Sequence, residues 1–160
     1  MIGRRNLLKC LMALPVANLV TAKAEASTMS EDGLVTIASG FSVKHTIDRL
    51  EANLKAKDIT VFARIDHAAG AASVAMPLRP TELLIFGNPK AGTPSMQSNQ
   101  TMGIDLPLKI LSWQDAGGEV WLTYNDPSWL ARRHRLGADM DASVNALATV
   151  LASLAKAAAG

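Results

Sequence analysis

The chain has 160 residues, 49% of them hydrophobic, with a formal charge of +2 and one cysteine. That length suits one domain, and a chain of this size buries roughly two-thirds of its unfolded surface. A nucleic-acid-binding protein needs a basic face, and the near-neutral charge with a single basic run at residues 132–135 argues against that class.

The first 26 residues have the three parts of an export signal. The start is basic and carries paired arginines, Arg4 and Arg5. An apolar run of about ten residues follows, well short of the roughly 20 that span a membrane. Small residues at 22–24 and 24–26 predict cleavage after Ala24 or Ala26. The paired arginines resemble the twin-arginine signal, so we expect export of a folded protein to the periplasm with no membrane attachment after cleavage.

Removal of the signal changes both the thiol content and the charge of the mature chain. Cys10 leaves with the signal, so the mature chain can form no disulfide and no cysteine-ligated metal site. Four of the 16 basic residues leave as well, but only one of the 14 acidic residues, Glu25, and the mature charge is therefore about −1.

The mature chain begins with a loose polar lead-in, residues 27–33, and one domain is predicted over residues 34–160. Residues 34–38 form the first predicted strand. Ser42 is the predicted cap of a helix, because a serine hydroxyl accepts from a free N–H group of the first turn. Apolar residues then recur at spacings of four, three and four, which is typical of an amphipathic helix: Val43, Ile47, Leu50 and Leu54.

Strands dominate the middle of the chain. Alternating apolar and polar residues at 59–66 predict a half-buried strand, and the small residues 68–75 predict a short helix. Consecutive apolar residues at 82–86 predict a strand that is covered on both faces or central in its sheet. After a predicted loop of about twenty residues, a Gly-Gly turn joins two further strands, 109–113 and 119–124.

The C-terminal third is predicted to be helical. Asp126 and Pro127 end the last strand and begin a first helical stretch, which Gly137 separates from a long alanine-rich helix. The apolar stripe of that helix has spacings of four, three, four and three: Met140, Val144, Leu147, Leu151 and Leu154. The order strand, helix, four strands, helix favours the α+β class, with a mainly antiparallel sheet and helices packed on one face.

Four motifs, in this order and spacing, resemble the family of domain of unknown function 302. They are FGNPKAGTPSMQ at residues 86–97, GIDLPL at 103–108, WQDAGG at 113–118 and YNDP at 124–127. The resemblance extends over nearly all of the mature chain, and the first motif is its most specific part. It implies a two-layer β-α-β4-α fold and a homodimer, and it brings no established activity and no agreed catalytic residues.

The segment after the third strand is the candidate ligand-binding site. Its glycine, polar and basic residues are the candidate contacts: Gly87, Asn88, Lys90, Gly92, Thr93 and Gln97. Glycines let a ligand approach the backbone closely. If Thr93 caps a helix that begins at Pro94, free N–H groups near Lys90 would favour a small anion. The alternative is that this segment only turns the chain and that Lys90 points to solvent.

Metal or haem binding is one alternative function. A soft N/S site could use one histidine and three methionines around the central segment: His67, Met76, Met96 and Met102. Their spacing has no repeated pattern, and methionine commonly fills cores. No cofactor is therefore implied by a motif.

An enzyme is a second alternative, with His67 or Tyr124 as the acid or base. His134 lies among arginines and is predicted to be solvated. The mature chain has no cysteine and no Gly-x-Ser-x-Gly motif, so no catalytic residue is predicted. We therefore expect a non-enzymatic exported domain that binds a small anion or apolar molecule, and a partner-binding module without a pocket is the remaining alternative.

Overall fold

The computed structural model describes residues 28–160, so the predicted signal peptide lies outside the described part of the chain. Six strands form one sheet there: β1 (Thr28–Met29), β2 (Leu34–Ser39), β3 (Thr60–Asp66), β4 (Thr81–Gly87), β5 (Leu108–Gln114) and β6 (Val120–Asn125). Their order is β1-β2-β6-β5-β4-β3, and every neighbouring pair is antiparallel. The predicted α+β class with a mainly antiparallel sheet is confirmed.

Helices form a second layer. Within residues 28–160 they are α1 (Val43–Lys55), α2 (His67–Ser73), α3 (Pro89–Ser98), α4 (Pro127–Arg133) and α5 (Asp141–Ala159), with 3₁₀ turns at Gln100–Ile104 and Ala138–Met140. The first helix packs on β3, β4 and β5, and α5 packs on β2 and on α1. From β2 onward the order matches the β-α-β4-α arrangement, with additional short helices in the connections.

Helix α1 begins at the predicted cap and buries the predicted apolar residues. The Ser42 side chain accepts a hydrogen bond from the His45 amide and caps the first turn. The predicted apolar stripe is buried against the sheet, and Ile47, Leu50 and Leu54 have no exposed surface. The helix ends at Lys55.

The core lies between the two layers. Alternate residues of four strands face the helices, as the period of a β-strand requires: Val35 on β2, Leu84 and Phe86 on β4, Ile110 on β5, and Leu122 and Tyr124 on β6. Leu151, Leu154 and Ala155 of α5 fill the same cluster. The run Ala138–Ala159 is long and apolar enough to cross a membrane by length and composition, but these contacts make its apolar face part of the core.

The prediction for β4 is wrong in one respect. This strand is second from the sheet edge, and only its alternate residues Glu82, Leu84 and Phe86 are buried. Leu83 and Ile85 point the other way and are half-buried. The consecutive apolar residues therefore reflect one face in the core and one apolar outer face, rather than cover on both sides.

The predicted loop of about twenty residues after β4 is largely helical, containing α3 and the 3₁₀ turn Gln100–Ile104. Asn88 caps α3, since its side chain accepts from the Lys90 amide at 2.9 Å. Proline at the first helical position fits that start, because its missing N–H group would be unpaired there anyway. The predicted helix start at Pro94, with Thr93 as its cap, is wrong, because Pro94 lies inside α3.

The interval predicted as a loose lead-in also contains structure. Strand β1 pairs with β2, with Thr28 opposite Thr36. Gly33 turns the chain with a φ of +81°, a conformation that favours glycine, and a Cβ at this position would overlap the ring of Trp129. The sheet is thereby extended by a short edge strand.

The two turns predicted downstream are present. Asp115 closes the β5–β6 hairpin, because its carboxylate accepts from the amides of Gly117 and Glu119 and from the indole N–H of Trp121. The Trp121 hydrogen bond is the main reason that the pKa of Asp115 is lowered. Asp126 caps α4 by accepting from the Trp129 amide at 2.7 Å.

Candidate functional site

A pocket of about 290 Å³ opens between the end of the sheet and residues 89–107, which we call the cover segment. The cover segment contributes Pro89, Ala91, Gly92, Thr93, Ser95, Met96, Met102, Leu106 and Pro107 to its walls. The rest of the chain contributes Phe62, Gly87, Asn88, Leu108 and Leu147. The pocket is thus walled by α3 and the 3₁₀ turn on one side and by β3, β4, β5 and α5 on the other.

A bulge in β3 aims an aromatic ring at this pocket. The register between β3 and β4 shifts between Val61 and Ala63, so Phe62 is the extra residue that leaves the regular alternation. Its side chain is 53% exposed and lines the pocket. Bulges commonly redirect a side chain near a site, and no pattern in the sequence predicts this one.

The walls are mostly apolar. Leucines, prolines and the thioethers of Met96 and Met102 supply most of the surface, with Asn88, Thr93 and Ser95 as the polar side chains. Helix α3 has no buried residue, because it covers a hollow rather than packing into the core. An apolar hollow with a few polar groups is typical of small-molecule sites.

The structure brings four of the six predicted contact residues to this pocket: Gly87, Asn88, Gly92 and Thr93. Gln97 lines a neighbouring, more open depression together with Thr93, Met96 and Gln100. Lys90 is exposed and lines neither hollow. The predicted segment therefore borders a hollow, but the chemistry of that hollow differs from the expected donor-rich surface.

The sequence predicts free N–H groups in a first turn after Pro94, but Pro94 lies inside α3. The amides at the observed start of α3 have partners within the chain. The Lys90 amide donates to the Asn88 side chain, and the amides of Ala91 and Gly92 donate to the Asn88 carbonyl at 3.0 Å each. These contacts follow from the helix start at Pro89 rather than at Pro94. They leave the apolar walls as the main feature that a ligand would meet.

The four residues of the alternative metal site are not assembled. Thr60 pairs with Gly87 beside the pocket, whereas Asp66 pairs with Glu82 at the other end of the two strands. His67 and Met76 belong to that far end, separated from Met96 and Met102 by the length of β3. Within residues 28–160 no group of three or more His, Cys, Asp or Glu residues is placed to hold a metal ion.

The two proposed acid–base residues do not reach the pocket. Asp66 accepts from the Ala69 amide at 2.8 Å and caps α2, so it is engaged with the backbone rather than with His67. Tyr124 lies in the core, and burial, with a smaller effect of Asp126, raises the pKa of its phenol. Neither residue lines the pocket.

A buried histidine next to the pocket differs from the prediction. His134 was expected in solvent among arginines, yet only 6% of its surface is exposed. Its Nε2 lies 2.6 Å from Asp105 Oδ2, and its Nδ1 lies 2.9 Å from Thr101 Oγ1. A signal for its burial was available, because His134 follows the buried Leu130 by four residues and shares its helix face.

Comparisons with known proteins agree on the family and the fold. The model of "Domain of unknown function DUF302" matches residues 35–154. A crystal structure of an uncharacterized conserved DUF302 protein from Bacillus stearothermophilus has a TM-score of 0.70, covering 79% of this chain and 98% of that chain. Its 19% sequence identity supports the fold alone.

Curated relatives carry a different name. The chain is 48% identical over 134 residues to "Fluoride-specific ion channel FluC 1" of Brucella suis and to "Fluoride-specific ion channel FluC 2" of Brucella melitensis. The match covers 84% of this chain but 53% and 50% of those proteins. The chain therefore spans about half the length of the curated relatives it matches, and their name does not say which half performs the named activity.

Proposed function

The chain belongs to the family of the domain of unknown function DUF302, and from that premise we propose that it is an exported, non-enzymatic domain that binds a small molecule in the pocket beneath the cover segment. The observation that carries the proposal is the apolar hollow of about 290 Å³ at the segment that the sequence singles out. No residue of its lining forms an acid–base or nucleophilic pair, so binding rather than catalysis is the function it supports.

The composition of the walls favours an apolar ligand. Phe62, Met96 and Met102 present a ring and two polarizable thioethers, which adapt to the shape of an apolar guest. Asn88 and Thr93 supply polar contacts at the same pocket. A small anion is less favoured, because the amides of residues 90–92 are already paired and Lys90 lies outside the lining.

Binding of a neutral fluorescent probe tests this proposal. N-phenyl-1-naphthylamine is apolar and uncharged, and we expect saturable binding with one molecule per chain. Replacing a wall residue with a large one, Ser95→Phe, should lower the affinity at least about tenfold by filling the hollow. Ser98→Phe is the matched control, since Ser98 lies on the same helix, is exposed and does not line the pocket.

Two results would argue against this site. Equal probe affinity in the Ser95→Phe and Ser98→Phe variants would place binding elsewhere, and no saturable binding to the wild type would remove the proposed apolar ligand. Lys90→Ala distinguishes an apolar ligand from an anion. This variant should leave the affinity for the neutral probe unchanged, because Lys90 does not line the pocket.

A second candidate function comes from the curated relatives. Half of each Brucella protein named as a fluoride-specific ion channel is 48% identical to this chain. We propose, as the alternative, that this domain works beside a fluoride channel in fluoride resistance. A strain lacking the protein should then grow less well in fluoride than its parent and recover with the intact gene; equal growth would remove this candidate.

A further inference from the structure

One buried histidine ties the cover segment to the rest of the domain. His134 follows the last residue of α4, where its amide donates to the Leu130 carbonyl, and three further atoms of His134 contact residues 99–105. Its carbonyl accepts from Asn99 Nδ2 at 2.7 Å. Its ring nitrogens lie 2.9 Å from Thr101 Oγ1 and 2.6 Å from Asp105 Oδ2. A single residue thus holds both ends of the 3₁₀ turn that forms part of the pocket wall.

The amide of Asn99 determines which groups donate in this network. Because Asn99 Nδ2 donates to the His134 carbonyl, its Oδ1 faces Thr101, where it accepts from the backbone amide at 3.0 Å and from the hydroxyl at 2.9 Å. The hydroxyl of Thr101 has one proton, which is used in that bond. Its oxygen can therefore only accept from His134 Nδ1.

The other ring nitrogen faces an acceptor as well. Asp105 Oδ2 belongs to a carboxylate, which accepts and does not donate when ionised. Both nitrogens of His134 must then carry a proton for every contact to be a hydrogen bond. The network is complete when His134 is an imidazolium paired with the Asp105 carboxylate.

Two further cationic side chains lie close to Asp105. Arg133 Nη1 lies 3.4 Å from the same Asp105 oxygen, and Lys109 Nζ donates to the Asp105 carbonyl at 3.2 Å. The Asp105 carboxylate therefore contacts two cations, Arg133 and protonated His134, whereas Lys109 contacts the backbone carbonyl of Asp105. Of these three residue types, histidine is the one whose charge ordinarily changes near neutral pH.

We propose that His134 is a proton-dependent latch on the cover segment, which holds the pocket wall closed while both of its ring nitrogens are protonated. When His134 loses one proton, its ion pair with Asp105 is lost. If the proton leaves Nδ1, the single hydroxyl proton of Thr101 then faces two acceptors, Asn99 Oδ1 and His134 Nδ1. Met102 and Leu106, which line the pocket, directly follow these two anchors in sequence. The wall therefore loosens as pH rises, because the stabilising form is the protonated one.

The latch itself does not depend on a ligand, whereas its effect on binding rests on the proposed function. Its first test is the ring of His134 in the wild-type domain. At pH 6, ¹⁵N chemical shifts should show protons on both Nδ1 and Nε2. A neutral ring with a single proton at this pH would overturn the proposal, whatever the pocket binds.

Hydrogen exchange of the cover segment is the second test. The amides of Asn99, Met102 and Asp105 donate within this segment, and their protection factors should fall about fivefold as His134 loses its proton, since one net hydrogen bond is lost. His134→Gln should abolish the pH step. His45→Gln, which changes an exposed histidine of α1, should retain it; an equal step in both variants contradicts the latch.

Probe binding over the same pH range separates the two proposals. Protection that changes with pH while N-phenyl-1-naphthylamine never binds supports the latch and contradicts the proposed function. Probe binding with pH-independent protection supports the pocket and overturns the latch. If His134→Gln fails to fold, two measurements on the wild type still test the latch. They are the ¹⁵N shifts of the His134 ring and the hydrogen exchange of the cover-segment amides, each followed over the same pH range.

Discussion

Arg64 forms the ion pairs that link the sheet to α1. This residue of β3 contacts Glu82 at 2.6 Å and Asp48 at 2.6 Å, and Glu51 lies 3.5 Å away. Glu82 is buried on the helix-facing side of β4, where a carboxylate without a partner would be costly. The guanidinium therefore makes a buried acidic residue tolerable in an otherwise apolar layer.

Removal of this guanidinium should destabilise the fold. We expect Arg64→Leu to lower the free energy of unfolding by about 2 kcal/mol, because Glu82 is left buried without its cation. Arg79→Leu is the matched control, since Arg79 is exposed and donates only to the Gln114 carbonyl in the described contacts. Urea denaturation measures both, and equal losses would contradict the assignment.

The contact between Arg64 and Asp48 predicts how the free energy of unfolding depends on pH. The hydrogen bond from Arg64, followed by that from Lys44, lowers the pKa of Asp48 below its usual 3.8. A carboxylate of this kind stabilises the fold above its unfolded pKa, and the contribution is lost as pH falls through the lower folded value. The wild type should therefore lose stability below about pH 4 more steeply than Arg64→Leu; parallel curves would contradict this.

At the scale of elements, α1 and α3 show what sequence patterns can and cannot predict. Helix α1 is predictable because its cap, Ser42, and its apolar stripe are local features that tertiary packing preserves. Helix α3 contains glycine, threonine and an internal proline, all poor helix formers. Its helical form depends on caps at Asn88 and Asn99 and on its position over the pocket, which composition does not reveal.

Loss of the α3 cap should destabilise the cover segment more than the whole domain. Asn88→Ala removes the side chain that accepts from the Lys90 amide and should cost about 1 kcal/mol of helix stability. Because α3 buries no residue in the core, we expect lower probe affinity and faster exchange in the cover segment with a nearly unchanged urea midpoint. Asn145→Ala on the exposed face of α5 is the control.

The sequence indicates which segment borders the candidate site, but not which distant residues complete its walls. The glycines and prolines of residues 87–97 indicate an irregular stretch with a role, and four of the six named residues line the pocket. Phe62 is brought there by a bulge, and Leu147 by the packing of α5. His134 meets Asp105 and Thr101 across about thirty residues of sequence, a separation that no local pattern bridges.

For the whole molecule, the outer face of the sheet is the surface without a helical layer from α1 or α5. Apolar side chains extend along it: Ile65, Leu83, Leu111, Trp113 and Trp121. The two tryptophan rings are stacked with centroids 6.5 Å apart. Aromatic residues are enriched at the centres of interfaces, and we propose that this face joins two copies of the chain.

Sedimentation tests this homodimer. We expect the mature protein to sediment with twice the mass of the chain, and Leu83→Glu to shift it towards the monomer by placing a charge on the outer face. Val150→Glu changes an exposed apolar residue of α5 and should leave the mass unchanged. A wild-type monomer at tens of micromolar concentration would contradict the proposal.

Export is also a property of the whole molecule. We propose that residues 1–26 act as a signal that directs the protein to the periplasm and that Arg4 and Arg5 direct transport of the folded chain. Replacing Arg4 and Arg5 by lysine should cause the uncleaved protein to accumulate in the cytoplasm, as judged by fractionation. Unchanged appearance in the periplasm would indicate another export route.

Methionine methyl groups report directly on whether an apolar ligand occupies the hollow beneath the cover segment. With ¹³C-methyl methionine and N-phenyl-1-naphthylamine, the resonances of Met96 and Met102 should shift together as the probe saturates the protein. Met76, 64% exposed at the far end of the sheet, should not move. A shift at Met76 with none at Met96 and Met102 would contradict binding in this pocket.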